Sequence, residues 1–312
     1  MATLPATAET TAGPVKTGPA PLRTRLRALP AGLRLGDLLA VAPFVLFAVM
    51  FLLLPMSYLV VQAFQAPDGS PTLENFASLF TPKTLDSFAI SIRVSGASAI
   101  LGALIGLMIA LAVIRGRLPS GVRAAVMTFS GVASNFAGIP LAFAFLATLG
   151  RLGLVTVILK TVFGIDIYRA GFNLLSFWGL TLTYLYFQIP LMVLIIAPAV
   201  DGLKREWSEA AATLGASNWQ FWRYVGLPVL WPNLLGTVSL LFANAFGAIA
   251  TAYALTGSTL NIVPVLLYAQ IQGDVLGNRG LGAALALGMV AITALANVIY
   301  LVVRTRAERW LK

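Results

Sequence analysis

Six stretches of mostly apolar residues recur along this 312-residue chain, at about 38–61, 88–114, 125–149, 174–200, 234–255 and 281–303. Each is long enough to cross the hydrocarbon core of a bilayer as a helix. A backbone in lipid must satisfy its own hydrogen bonds, so a stretch of this kind has few options besides the helix. The chain is therefore expected to be an all-α integral membrane protein with six transmembrane helices. Its 10% charged residues agree, because soluble domains carry nearer about 25%.

Composition also removes several chemistries. There are no cysteines and no histidines. That excludes disulfides, thiol nucleophiles, imidazole metal sites and histidine general bases. No GxxxxGK[ST] phosphate loop is present, so no nucleotide is expected to bind by that route, and neither a cofactor nor an enzymatic activity is expected. The net charge of +10 would suggest nucleic acid in a soluble protein. In a membrane chain the excess of positive residues on inward loops accounts for it, and no nucleic-acid partner is expected.

Residues 1–35 read as a disordered basic tail and 36–312 as the membrane domain. Arg23, Arg25, Arg27 and Arg34 resemble the start of a signal peptide, but the apolar stretch behind them is too long and no cleavage site is evident, so an uncleaved first span is expected. With the N-terminus inside, inner segments hold 15 Lys and Arg and outer segments 5, which predicts both termini in the cytoplasm. Residues 62–86 form an outer segment with turn signals at Asp68-Gly69 and Pro71. Residues 151–173 are only half apolar and read as a helix on the outer surface or a re-entrant piece. Residues 256–280 are a further outer segment, with a short helix near Val263–Ile271.

The loop at 201–233 is the most amphipathic part of the chain. Residues 206–214 are rich in strong helix formers. Gly215 stops that helix, and Ser217 with Gln220 three residues on has the spacing of a capping box. Pro228 ends the second helix or marks its exit. The prediction is a helix, a sharp turn and a second helix outside the bilayer. Taken alone, such a loop could also be an ordinary amphipathic helix resting on headgroups.

Within this loop, Glu209-Ala210-Ala211, Gly215 after three intervening residues, and Val225-x-Leu227-Pro228 after nine more resemble the pattern EAA-x3-G-x9-I-x-LP. It is characteristic of the permeases of binding-protein-dependent ABC importers, and Val225 for Ile is the one departure. The resemblance implies a type I, MetI-like bundle with a cytoplasmic coupling helix in a bacterial inner membrane. It further implies a cytoplasmic ABC ATPase dimer that binds the ATP, a second permease subunit of related but different sequence, and a periplasmic or lipid-anchored substrate-binding protein. Glu209, Ala210, Ala211, Gly215, Val225, Leu227 and Pro228 would then couple to the ATPase. The stretch QAFQAPDGSPTLENFASLF is similar to permeases of the polyamine, iron, thiamine and phosphonate group, so a small organic solute such as a polyamine is expected, with iron, thiamine or phosphonate as alternatives.

Polar residues inside the spans are candidates for a path. Thr237, Asn244, Gly247 and Thr251 follow one helix face at seven-residue intervals or near them. Tyr184 and Gln188 lie on the fourth span and Asn135 on the third. Small and hydroxyl residues are also the usual glue between membrane helices, so packing is the alternative reading. No acidic residue stands in the middle of any span, which argues against an ion-coupled secondary transporter working alone. The prolines at 43, 55, 140, 190 and 198 are expected to kink helices rather than break them.

Overall fold

The computed structural model describes residues 35–116, 118–257, 259–272 and 278–308. The expected tail thus lies, except for Leu35, outside the described residues. Those residues are helical apart from turns, loops and one isolated antiparallel bridge between Gln65 and Pro71. The bridge closes the turn expected at Asp68-Gly69. Asp68 accepts from the N–H and O–H of Ser70 at 3.0 and 2.7 Å, and Gly69 takes a left-handed φ of +85°. Six helical segments are long and apolar enough to cross a bilayer: Val41–Ala63, Pro82–Arg115, Ile139–Val162, Phe177–Asp201, Asn218–Phe246 and Arg279–Arg306.

The chain divides into two compact units, Met1–Pro55 and Met56–Lys312. The first holds α1 (Leu35–Ala48) and a π turn at Val49–Leu53, after which α2 (Leu54–Ala63) begins. A proline ring crowds the carbonyl four residues before it and offers no N–H, so the turn ahead of Pro55 widens instead of breaking.

The second unit continues with α3 (Glu74–Ala77), α4 (Pro82–Arg115), α5 (Ser120–Ala133), α6 (Ile139–Leu149) and α7 (Leu154–Val162). Then come α8 (Phe177–Asp201), α9 (Arg205–Thr213), α10 (Asn218–Phe221), α11 (Leu227–Phe246), α12 (Ile249–Thr256), α13 (Val263–Gln272) and α14 (Arg279–Glu308). Pro82 opens α4, where a missing N–H costs nothing. One face of α4 is small: Ser91, Ser95, Ser98, Gly102, Gly106 and Ala110 are all buried. Against it packs α8, at a separation only glycine permits. A Cβ on Gly102 would stand 2.8 Å from Cβ of Gln188, and one on Gly106 2.6 Å from Cβ of Met192. Between membrane helices, where lipid is as apolar as leucine, such close van der Waals contact is the main attraction. Ser91 also accepts the N–H of Val263 at 2.8 Å, tying the start of α13 to α4.

Two apolar cores flank α8. One gathers Leu141, Tyr184, Phe187 and Leu255 from α6, α8 and α12. The other gathers Met192, Ile196, Leu230 and Leu241 from α8 and α11 with the alanines of α4.

The third and fifth spans depart from the expected pattern. The third, expected as one helix over 125–149, is broken at 134–138, and the membrane-length segment is Ile139–Val162. Pro140 cannot donate to Phe136, Gly138 takes φ +77°, and Ser134 and Asn135 turn back onto the carbonyl of Gly131 at 3.3 and 2.9 Å. The expectation that the prolines only kink helices therefore fails at Pro140. The fifth span was expected over 234–255. It starts instead at Asn218, runs through a second π turn at Trp222–Gly226, and stops at Phe246 before the short α12. Pro228 does not end a helix; it sits in the first turn of α11, two residues beyond that π turn.

Candidate functional site

Two regions hold the residues singled out from the sequence. The first is the exposed hairpin α9–α10. The predicted helix over 206–214 is found at Arg205–Thr213. Gly215 has φ +80° and nothing within 4 Å of where a Cβ would be, so the turn needs glycine for its backbone alone. The capping box is present: Gln220 N–H donates to Ser217 Oγ at 3.2 Å, and Ser217 N–H donates to Gln220 Oε1 at 2.7 Å. Glu209 pairs with Arg205 one turn back at 3.3 Å. Glu209, Ala210, Leu227 and Pro228 are exposed, while Ala211 and Val225 are half-buried.

The hairpin is held at both ends. Arg115 donates to the carbonyl of Leu203 at 2.7 Å, and Arg123 pairs with Asp201 at 2.6 Å, fixing its entry. Its exit has no loop at all, because α10 passes through the π turn into α11. A push on α10 therefore reaches α11 through continuous helix.

The second region is where the breaks in the third and fifth spans meet. Gly138 N–H, at the start of α6, donates to Thr251 Oγ1 in the first turn of α12 at 2.7 Å. Tyr184 Oη donates to the carbonyl of Ala248 at 2.8 Å, and Gln188 Nε2 to that of Leu241 at 2.8 Å. Span four thus braces span five before its break and at it. At the junction is a cavity of about 300 Å³ whose wall includes Ser134, Gly138, Asn244, Gly247, Ala248 and Thr251. Both α6 and α12 begin there, and their N-termini carry partial positive charge.

The path residues do not share one face. Asn244 is exposed at the cavity and Thr251 is buried in its wall. Thr237 is buried away from it and donates to its own helix at Asn233. The seven-residue spacing fails as a guide because the helix ends between Asn244 and Thr251. Asn135 is exposed, with its amide spent on Gly131. Tyr184 and Gln188 are fully buried braces, and among the described residues Gln188 Oε1 has no partner. Sequence reasoning missed Gly138 and Ala248, the caps that begin α6 and α12. A glycine two residues before Pro140 was a usable signal for the first; nothing marked the second. It also missed Gly102 and Gly106, whose four-residue spacing on an apolar span was legible.

The family model for the binding-protein-dependent transport system inner membrane component matches residues 102–309. The chain is 28% identical over 230 residues to the molybdenum transport system permease protein ModB of Mycobacterium tuberculosis, covering 72% of this chain and 80% of that one. It is 24% identical over 242 residues to the sulfate transport system permease protein CysT of Escherichia coli, covering 76% and 82%. Neither is named for a polyamine. Among solved structures, a bacterial ABC transporter involved in the import of the acidic polysaccharide alginate aligns with a TM-score of 0.68 at 19% identity, over 89% of this chain and 97% of that one. That likeness concerns the fold.

Proposed function

The chain belongs to the family of binding-protein-dependent transport system inner membrane components, and from that premise we propose that it forms the translocation path of an importer for a tetrahedral oxyanion. It is a multi-pass inner-membrane permease subunit of an ABC importer. Sulfate, and molybdenum in its aqueous form, belong to one class of small tetrahedral dianions, and the names of the two relatives support that class in place of the polyamine expected from the sequence.

The observation that carries the proposal is the junction cavity. A dianion in the membrane needs donors and positive potential without a fixed counter-charge that would trap it. Two helix starts and the amide of Asn244 line that cavity, and among the described residues no carboxylate does. A polyamine would need the opposite lining. Asn244 and Gly247 are exposed on this subunit, where a second permease subunit would complete the wall.

In this proposal the hairpin α9–α10 lies in the cytoplasm with both chain termini, as the charge count favours, and engages an ATPase dimer through Glu209, Ala210, Ala211 and Gly215. ATP is bound by that partner, and a binding protein delivers the solute on the opposite side. The test is ATP-dependent uptake into proteoliposomes holding the chain with its second permease subunit, its ATPase and its binding protein. Uptake of sulfate or molybdate with none of spermidine is expected. Uptake of spermidine with neither oxyanion overturns the substrate class.

A further inference from the structure

We propose that the groove formed by Trp219, Trp222, Arg223, Tyr224 and Leu227 binds the headgroup of an anionic phospholipid. The helical segment Asn218–Phe246 has 29 residues. At 1.5 Å per residue it is about 43 Å long, against a hydrocarbon core of about 30 Å. The Asn218 end carries exposed Trp219 and Tyr224 with Arg223 between them, the residues that favour the interface, whereas Phe246 is buried in the protein, so the excess is assigned to the Asn218 end. The first two turns therefore stand at headgroup depth.

Those turns carry the side chains that suit that depth. Trp219 is 73% and Tyr224 69% exposed, and Leu227 lies beside them. Trp222 packs its indole on buried Gly226, where a Cβ would meet Cε3 at 2.6 Å, so one wall of the groove is fixed. The π turn over Trp222–Gly226 widens the helix here, and the groove encloses about 370 Å³. Tryptophan and tyrosine favour the carbonyl and headgroup layer because each has an apolar body and a polar edge.

The charge selects the lipid. Arg123 pairs with Asp201 and Arg205 with Glu209, whereas among the described residues no carboxylate pairs with Arg223. Its guanidinium lies 5.8 Å from the ring centre of Tyr224. A cation held over an aromatic wall, at the depth where phosphate groups lie, is complementary to a phospholipid phosphate, and a net negative headgroup strengthens the match. The groove runs from Trp219 on α10 to Leu227 at the start of α11, so an occupying lipid would sit where the hairpin leads into α11.

Native mass spectrometry of the full chain, titrated with phosphatidylglycerol or phosphatidylcholine, tests this. Phosphatidylglycerol is expected to be retained more tightly. Arg223→Gln should weaken its retention about fivefold, the effect of one cation at an anionic surface, while Arg223→Lys recovers much of it and Arg205→Gln leaves it unchanged. Trp219→Ala, at an exposed position, should also weaken it and serves if the arginine variants fail to fold. Excess inorganic phosphate should not displace the lipid. The proposal is overturned by equal retention of the two lipids, by unchanged retention in both Arg223→Gln and Trp219→Ala, by displacement with inorganic phosphate, or by loss of the ATPase from Arg223→Gln at unchanged lipid affinity, which would make the groove a protein contact.

Discussion

Tyr184 reaches from the fourth span to the carbonyl of Ala248, the residue at which the fifth span is broken, with 2.8 Å between oxygens. The tyrosine is 1% exposed, so water does not replace the bond if it is lost. Tyr184→Phe keeps the ring and removes the donor, leaving a carbonyl at a helix break without it. A loss of about 1–3 kcal/mol in stability is expected, the penalty for an unsatisfied buried polar group. Thermal unfolding of the purified chain in one detergent measures it; an unchanged Tm would mean that the break needs no brace.

The contact of α4 with α8 gives a second prediction. Gly102→Ala and Gly106→Ala place a methyl group within 2.8 Å of Gln188 or Met192, so the helices must part. Destabilisation of about 1–3 kcal/mol is expected for each, as for other overpacked contacts. Gly96→Ala and Gly131→Ala, which meet nothing within 4 Å, are the controls and should be close to neutral or slightly stabilising.

Gly215 sits in the left-handed region with open space around it, so a side chain there strains the backbone without a clash. Gly215→Leu should cost about 1–2 kcal/mol locally and distort the hairpin, while α11 and the membrane helices stay intact. Uptake should fall, with ATP hydrolysis no longer answering to the binding protein. Normal uptake by this variant would remove the hairpin from the coupling route.

The orientation proposed for the hairpin can be read in intact cells, because the chain has no cysteine of its own. A cysteine at Ala212 on α9 should resist a membrane-impermeant thiol reagent, and one at Lys83 in the first turn of α4 should react. Both positions are exposed. The reverse pattern would invert the topology.

Much of this fold was legible because a membrane leaves the chain few choices. Apolar length located spans one, two, four and six, and Gly215 with the Ser217–Gln220 box located the hairpin turn, since both signals are local. The breaks were harder. A seven-residue repeat through Thr237, Asn244 and Thr251 continues across Gly247 in the sequence, whereas the helix does not. Such a break depends on distant partners, here Tyr184 on Ala248 and Gly138 on Thr251, and no local pattern records them. Pro228 misled for a related reason: proline ends a regular α-helix but is accommodated after a π turn.

Asn244 decides the central claim, that the junction of the two broken spans is the path. Its amide is exposed at the cavity and does not hold α11 to another helix among the described residues. Asn244→Leu should therefore leave complex yield and basal ATP hydrolysis near the native level and lower uptake at least tenfold, a loss of about 1.4 kcal/mol or more in the transport barrier. Uptake, complex yield and ATP hydrolysis are measured together on the same preparation. Unchanged uptake, or loss of the assembled complex itself, would contradict the account.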